Sequence, residues 1–546
     1  MKSARQLLVP VAAALVVATL LFARQIASWS TPGNRYYYLW QSSDGLALLG
    51  AVLLLAVILF ALGMGLSRTE WARRRRLHEI ALFIGLLAAI LAQFADLSKK
   101  SNPMRASLLW AAMVVLLWLA WRRWPSRLPT LARNACLIMS PLVPILFFQI
   151  LSWHPWDNTE RTTPTPPSAG RDSAQKPPLA VLVVFDEWSW LRTAPRGQIG
   201  DSLTHLKWLA GHALLERETR SAAYMTTTSL PRILYQRAGG VVEGNGVAWW
   251  EEADSSRRPT WEVPDLFDRV RKLGYRSTLF GYYLPYRALL GPDGADRVVS
   301  YSHTPKRKSW IGQVGLMLES ELQYFTDPIS QWVWPKLFTK LNSEFWRDNT
   351  FALRDGLIHE IQAAPDRTLI VAHLPVPHFP YIWNPNGTYR GPFKRKMGDG
   401  TPEDYYRNVR FTDTVLGQIV DALQRAGRFD RSLLIITSDH SWRAEQDSAI
   451  LAQPDATRRV PLVIKWPGQT EPLLSDQPFC NAEIGSVIEA ALATPQPTLT
   501  DSLWRGLARE RPERPCAQDT PGIMSDEQLR DFLDRHKKRL RPKRRP

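Results

Sequence analysis

Five apolar runs open the chain, at roughly 7–23, 45–66, 79–97, 106–121 and 134–152. Each approaches the ~20 residues a helix needs to cross the hydrocarbon core of a bilayer. The pattern predicts a membrane module over 1–153 with five transmembrane helices. The first run follows Lys2 and Arg5, but no A-x-A cleavage site follows it and four more runs do. It therefore reads as a retained helix, not a signal peptide.

The pattern changes at 179. LAVLVVF (179–185), TLIVAHL (368–374), SLLIITS (432–438) and VPLVIKW (460–466) are short runs rich in branched apolar residues, as expected of strands buried on both faces. Helical stretches separate them. One is 406–427, with Val409, Val415, Leu416, Ile419 and Leu423 near one face and Gly427 suited to the C-cap. The predicted fold is an α-helical membrane module followed by an α/β domain whose mainly parallel sheet is covered by helices on both faces. Between them, 154–178 holds six prolines among polar residues and cannot bury a core, so it reads as a linker. The α/β domain is assigned to 179–534 and a basic tail to 535–546.

Charge refines this division. The net charge of +17 is not one basic surface: 1–153 contributes +12, the last twelve residues +8, and the body between them −3. A basic nucleic-acid-binding domain is excluded. With the N-terminus inside, inner segments of the module carry eleven Lys/Arg and outer loops five. The positive-inside rule favours that orientation. Five spans then place everything after 153 outside the cytoplasm, in a multi-pass protein of the inner (plasma) membrane. The tail RHKKRLRPKRRP is too charged to fold alone and could contact anionic lipids. Of three cysteines, Cys136 lies in the fifth run, while Cys480 and Cys516 lie where a disulfide could form or two thiols could remain.

In open α/β sheets, functional residues gather past the carboxyl ends of the strands. The first strand stops at Asp186-Glu187, and the third named run at Asp439-His440. The second carries His373 and leads to His378, and a hydroxyl-rich loop, Thr226-Thr227-Thr228-Ser229, leads into a helix. Asp186, Asp439 and His440 could bind Zn²⁺ or Mn²⁺, with Ca²⁺ or Mg²⁺ also compatible. A threonine hydroxyl at a helix start could complete the site as a metal-activated nucleophile toward phosphorus or sulfur. His373 and His378 could steady the transferred group or move a proton.

VLVVFDEW, TTTSLPRIL, HLPVPHFPY, the helix YRNVRFTDTVLGQIVDAL, TSDHSWR and VPLVIKWPG, in this order, resemble the sulfatase-like branch of the alkaline phosphatase superfamily. Joined to five N-terminal spans, they resemble the membrane-bound phosphoethanolamine transferases and lipoteichoic-acid synthases. The resemblance implies Thr226 as nucleophile, from the spacing T-x-x-S-[LV]-P, with Thr227 and Thr228 in reserve. It implies Asp186, Thr226, Asp439 and His440 as metal ligands, with Glu187 as a further acid, and His373 and His378 near the substrate phosphate. The chain departs from the transferases in having no histidine between 441 and 535 and no cysteines bracketing the threonine. Sulfatases carry a cysteine, converted to formylglycine, where Thr226 stands.

The expected function is metal-dependent transfer of a phospho-alcohol group, of phosphoethanolamine or phosphoglycerol type. It would pass from a membrane phospholipid donor to a cell-envelope glycan or glycolipid acceptor through a covalent threonine intermediate. The alternatives are a sulfuric-ester hydrolase or phosphodiesterase of the same fold, and a catalytically inactive envelope scaffold.

Overall fold

The computed structural model describes residues 2–30, 42–68, 122–124, 127–152 and 179–509, together with 70, 83, 86, 115, 119 and Cys516. Within 179–509 it omits 245–246, 253, 292, 302–308, 334, 394–399, 446, 454 and 494–498. The linker 154–178 and the tail 535–546 lie outside the described residues, as do the runs 79–97 and 106–121 apart from single positions. The chain forms two compact units, one from Met1–Trp156 and Thr304–Pro335, the other from Asp157–His303 and Lys336–Pro546.

In the first unit, α1 (Lys2–Leu21) packs on α2 (Ser42–Arg68), followed by α3 (Arg127–Met139) and α4 (Leu142–Leu151). Small side chains, Ala18, Ala47 and Ala51, are fully buried in this packing and let the helix backbones approach. Ser43–Gly65 in α2 is long and apolar enough to cross a membrane. Helices α3 and α4 pass the same criterion together but are bent by 41°, at Pro141, which cannot continue the hydrogen-bond ladder. The apolar part of α1, Leu8–Leu21, is shorter than a span. Among the described residues there is thus one span-length helix, or two with the bent pair.

The second unit is built on an eight-stranded sheet. Its strands are β1 (Leu179–Asp186), β2 (Leu214–Glu216), β3 (Arg276–Tyr282), β4 (Arg297–Tyr301), β5 (Thr368–Pro377), β6 (Leu433–Ser438), β7 (Leu462–Lys465) and β8 (Leu473–Ser475). Their order is β8-β2-β7-β6-β1-β5-β3-β4. Every residue of β1, β5 and β6 is buried, which explains their unbroken apolar sequences. β1 lies between β5 and β6, parallel to both. The sheet is mixed, because β7 runs antiparallel to both its neighbours. An apolar run buried on both faces carries no mark of its direction, so 460–466 reads like its parallel companions.

Three helices frame the carboxyl ends of the central strands: α5 (Thr226–Tyr235), α7 (Pro335–Ala363) and α8 (Pro402–Arg425), while α6 (Trp310–Val333) belongs to the first unit. Helix α8 starts at a capping box between Thr401 and Asp404. It buries Val409, Val415, Leu416, Ile419 and Leu423 in the main core.

Candidate active site

At the end of β1 the register slips between Phe185 and Asp186. Glu187 then adopts φ +67°, in the left-handed region that non-glycine residues seldom enter. The kink is held from both sides: the Tyr405 hydroxyl on α8 donates to the Glu187 carbonyl (2.8 Å), and Trp188 N–H donates to Ser438 Oγ (2.7 Å). Parallel pairing of β1 with β6 brings Asp439-His440 alongside. Glu187 N–H and His440 N–H both donate to Asp439 Oδ1, at 3.0 and 2.7 Å.

Thr226 is the first residue of α5, whose N-terminus has no side-chain cap, so the positive end of the helix faces the site. The Thr226 hydroxyl donates to Asp439 Oδ2 at 2.6 Å and lies 3.3 Å from His440 Nε2. Ser229 Oγ donates to the Asp439 carbonyl (2.5 Å), tying the helix to the strand end. Asn481 bridges the same two segments, accepting from Ala222 N–H and donating to the Ser438 carbonyl.

His373 in β5 joins this group. The donor atoms of Asp186, His373 and Asp439 all lie within 4.8 Å of one another, whereas His373 was expected beside the substrate. Its Nδ1 sits 3.2 Å from the Tyr282 carbonyl and 2.8 Å from the Tyr286 hydroxyl. A carbonyl only accepts, so Nδ1 carries the proton and Nε2 presents its lone pair. His440 is fixed the same way by Nδ1–H to the Ser441 carbonyl (2.9 Å). Its Nε2 then faces Asp186 Oδ1 at 3.6 Å and Asp439 Oδ2 at 3.5 Å.

These imidazole lone pairs are turned toward the carboxyl oxygens of Asp186 and Asp439. Asp186 Oδ1 and His373 Nε2 are buried without a hydrogen-bond partner. Burial, then repulsion from Asp439 and Glu187, drives the Asp186 carboxyl well above its ordinary range. Burial also pushes His373 down to about 4 and lowers His440. Burial opposes ionisation of Asp439 too, but His440, His373 and the Thr226 hydroxyl hold it below the usual carboxylate range. Neutral imidazoles, crowded carboxylates and orphaned lone pairs are what a divalent cation satisfies, so the residues fit a metal.

Glu187 and His378 do not converge on that cluster. Both turn to Arg443, which the sequence reading did not single out although it closes the TSDHSWR motif. Arg443 donates from N–H and Nε–H to Glu187 Oε1, each at 3.1 Å, and from Nη2 to His378 Nε2 at 3.0 Å. His378 Nδ1–H donates to the Phe379 carbonyl (2.6 Å), so both its ring nitrogens are engaged. Burial alone would raise Glu187, but the Arg443 guanidinium outweighs it and holds the carboxyl below its ordinary value. The His378 ring stacks on Trp346 of α7, with centroids 5.8 Å apart and planes at 12°. Asn408 of α8 fixes the His378 loop by donating to the carbonyls of Pro377, His378 and Pro380. Thr227 and Thr228 follow on the same helix, half-buried, while Thr226 alone of the three meets Asp439.

Lipoteichoic acid synthase 1 of Bacillus subtilis (strain 168) is 30% identical over 86 residues, 14% of each chain. Iduronate 2-sulfatase of Mus musculus is 31% identical over 91 residues, 16% of each chain. The matches thus span less than a fifth of the length of these curated relatives. Among solved structures, a phosphonate monoester hydrolase of Agrobacterium radiobacter is similar at 17% identity and TM-score 0.39, over 58% of this chain and 74% of that one. The family model described as Sulfatase matches residues 178–488. That stretch runs from β1 through the Thr226 helix and the Asp439-His440 strand end, and exceeds half of the chain: this protein belongs to the sulfatase family.

Proposed function

We propose that this protein transfers a phospho-alcohol group, of phosphoethanolamine or phosphoglycerol type, from a membrane phospholipid to a glycan or glycolipid of the cell envelope. The observation that carries the reading is the Thr226 hydroxyl, buried at a helix N-terminus and donated to Asp439 within the cluster of candidate metal ligands. Formylglycine chemistry lacks its residue here, since no cysteine lies between Cys136 and Cys480.

Asp186, Asp439, Thr226 and His440, joined by His373, would hold a divalent ion, and their mixed oxygen and nitrogen donors suit Zn²⁺ or Mn²⁺. Such an ion supplies Lewis-acid stabilisation of charge on the nucleophile and the transferred group. In the first half-reaction Thr226 Oγ bonds to the donor phosphorus, and the bond from phosphorus to the diacylglycerol oxygen breaks. The threonine proton passes to Asp439 Oδ2, which already accepts it. The departing alkoxide takes a proton from water. The acceptor oxygen then bonds to phosphorus as the Thr226 Oγ–P bond breaks; Asp439 returns its proton to Thr226 Oγ, and the acceptor's proton passes to the hydroxide left by the first half-reaction. Arg443 and the uncapped first turn of α5 would hold non-bridging oxygens. His378 keeps the Arg443 guanidinium in position.

The same reading places the second unit outside the cytoplasm of a multi-pass plasma-membrane protein. The charge bias of the N-terminal module supports this, and so does the Cys480–Cys516 disulfide, which needs an oxidising compartment. The basic tail would contact anionic lipids. Full-length protein reconstituted with labelled phosphatidylethanolamine and phosphatidylglycerol should release diacylglycerol from one of them, and Thr226→Ala should not. Hydrolysis of a sulfate monoester with no diacylglycerol from either lipid would overturn the proposal.

A further inference from the structure

Helix α6 lies in sequence between β4 and α7 of the catalytic unit, yet it packs with the N-terminal helices. One face of α6 is built for that packing: Val314, Met317 and Leu318, at the i, i+3, i+4 spacing of a helix stripe, join the cluster of Ala47, Ala51 and Ile26. Polar groups fix its register. Gln313 Nε2 donates to Asp44 Oδ1 at 3.2 Å, both side chains buried, and Gln25 Nε2 donates to the Met317 carbonyl at 3.0 Å. The Trp310 ring lies against Gly50 so closely that a Cβ there would stand 2.8 Å from it. The first turn of α6, on the same side of the helix, is nevertheless open to the surroundings: Trp310 is 53% and Ile311 77% exposed. On α2, Leu54 and Val57, at i+4 and i+7 from Gly50, are exposed as well.

We propose that the start of α6 is a re-entrant anchor, with Trp310 and Ile311 seated in the outer leaflet of the bilayer beside α2. The proposal rests on α2 being a membrane span whose Asp44 end faces outward. Gly50 lies six residues into the helix from Asp44, roughly 9 Å along its axis, at the headgroup boundary where tryptophan is favoured. Asp44 and Gln313 pair within the protein, so neither meets lipid as an unpaired polar group. The anchor gives the catalytic unit a second attachment to the membrane, besides the 154–178 linker. Only residue 334 separates α6 from α7, the helix whose Trp346 stacks on His378. The bilayer attachment is therefore continuous in the chain with a wall of the active site, as suits an enzyme that draws its donor from the leaflet.

The test uses full-length protein in nanodiscs of phosphatidylethanolamine and phosphatidylglycerol, on a Cys136→Ala background. An environment-sensitive fluorophore is placed at Ile311→Cys or, as a control, at Val57→Cys. Lipids carry a quencher near the headgroup or near the bilayer centre. The fluorophore at 311 should be quenched about twofold or more by the shallow quencher and less by the deep one, with the reverse at 57. Gly50→Leu should reduce quenching at 311 and leave 57 unchanged. Quenching at 57 with none at 311 would overturn the anchor alone. No quenching at either position would overturn the membrane reading of α2, and the anchor with it.

Discussion

Arg443 donates through Nη2 to Nε2 of His378, so a guanidinium rather than a second metal ligand faces this histidine. The other edge of Arg443 is held by Glu187. This cluster occupies the region where the resemblance implied a histidine pair near the substrate phosphate.

Arg443 should therefore be needed for turnover and not for metal retention. Arg443→Ala is expected to lower kcat/KM by about 10²–10³-fold, the range for losing one well-placed donor to a developing oxyanion, with metal content unchanged. Arg443→Lys should recover little, because a lysine cannot bridge Glu187 and His378 at once. Steady-state kinetics with metal analysis of each variant checks this. Metal loss in Arg443→Ala would reassign the residue to the ligand cluster.

Metal binding should release a proton, and that proton should come from Asp186. Its carboxyl is raised well above the ordinary range, first by burial and then by Asp439 and Glu187, so the metal-free protein keeps it protonated into a pH range where free carboxylates are ionised. His373, held down to about 4, has none to give near neutrality. A raised carboxyl pKa means that affinity falls as pH drops through it, because metal and proton compete for one oxygen. Calorimetry in buffers of different ionisation enthalpy, from about pH 8 to about pH 5, should show release that grows as pH falls. Asp186→Asn should abolish the release and weaken binding. Undiminished release in that variant would contradict the assignment.

The Cys480–Cys516 bond should stabilise the site as well as the fold. It closes a sequence separation of 36, and Asn481, next to Cys480, ties the β6 end to the loop before Thr226. Cys480→Ser is expected to cost about 2–4 kcal/mol and to weaken metal affinity. Thermal unfolding and metal titration of the variant check both effects. Unchanged metal affinity in a destabilised variant would confine the bond to a structural role.

The legible part of this protein was the part written locally. Runs 179–185, 368–374 and 432–438 announce themselves because both faces of each strand are buried. Asp186, His373 and Asp439-His440 could be placed near one another because parallel strands present their ends on one edge. Direction was not legible: 460–466 is as apolar as the others, yet it runs antiparallel, since burial is the same either way. Arg443 escaped attention because an arginine after a strand is usually a solvated loop residue, and its partners, Glu187 and His378, are 256 and 65 positions away. Helix α6 escaped because its buried stripe meets α2 across more than two hundred residues of chain. His373 shows a subtler limit. Its nearness to the site followed from its strand, but its place among the candidate ligands depends on the Tyr282 carbonyl that fixes its tautomer.

In the proposed mechanism Thr226 becomes covalently bonded to the transferred phosphorus. Intact-mass analysis of the Thr226 peptide after incubating the metal-loaded protein with membrane phospholipids tests it directly. The expected result is an adduct with the mass of phosphoethanolamine or phosphoglycerol on Thr226, absent in Thr226→Ala. No adduct, together with unchanged activity of Thr226→Ala, would contradict it.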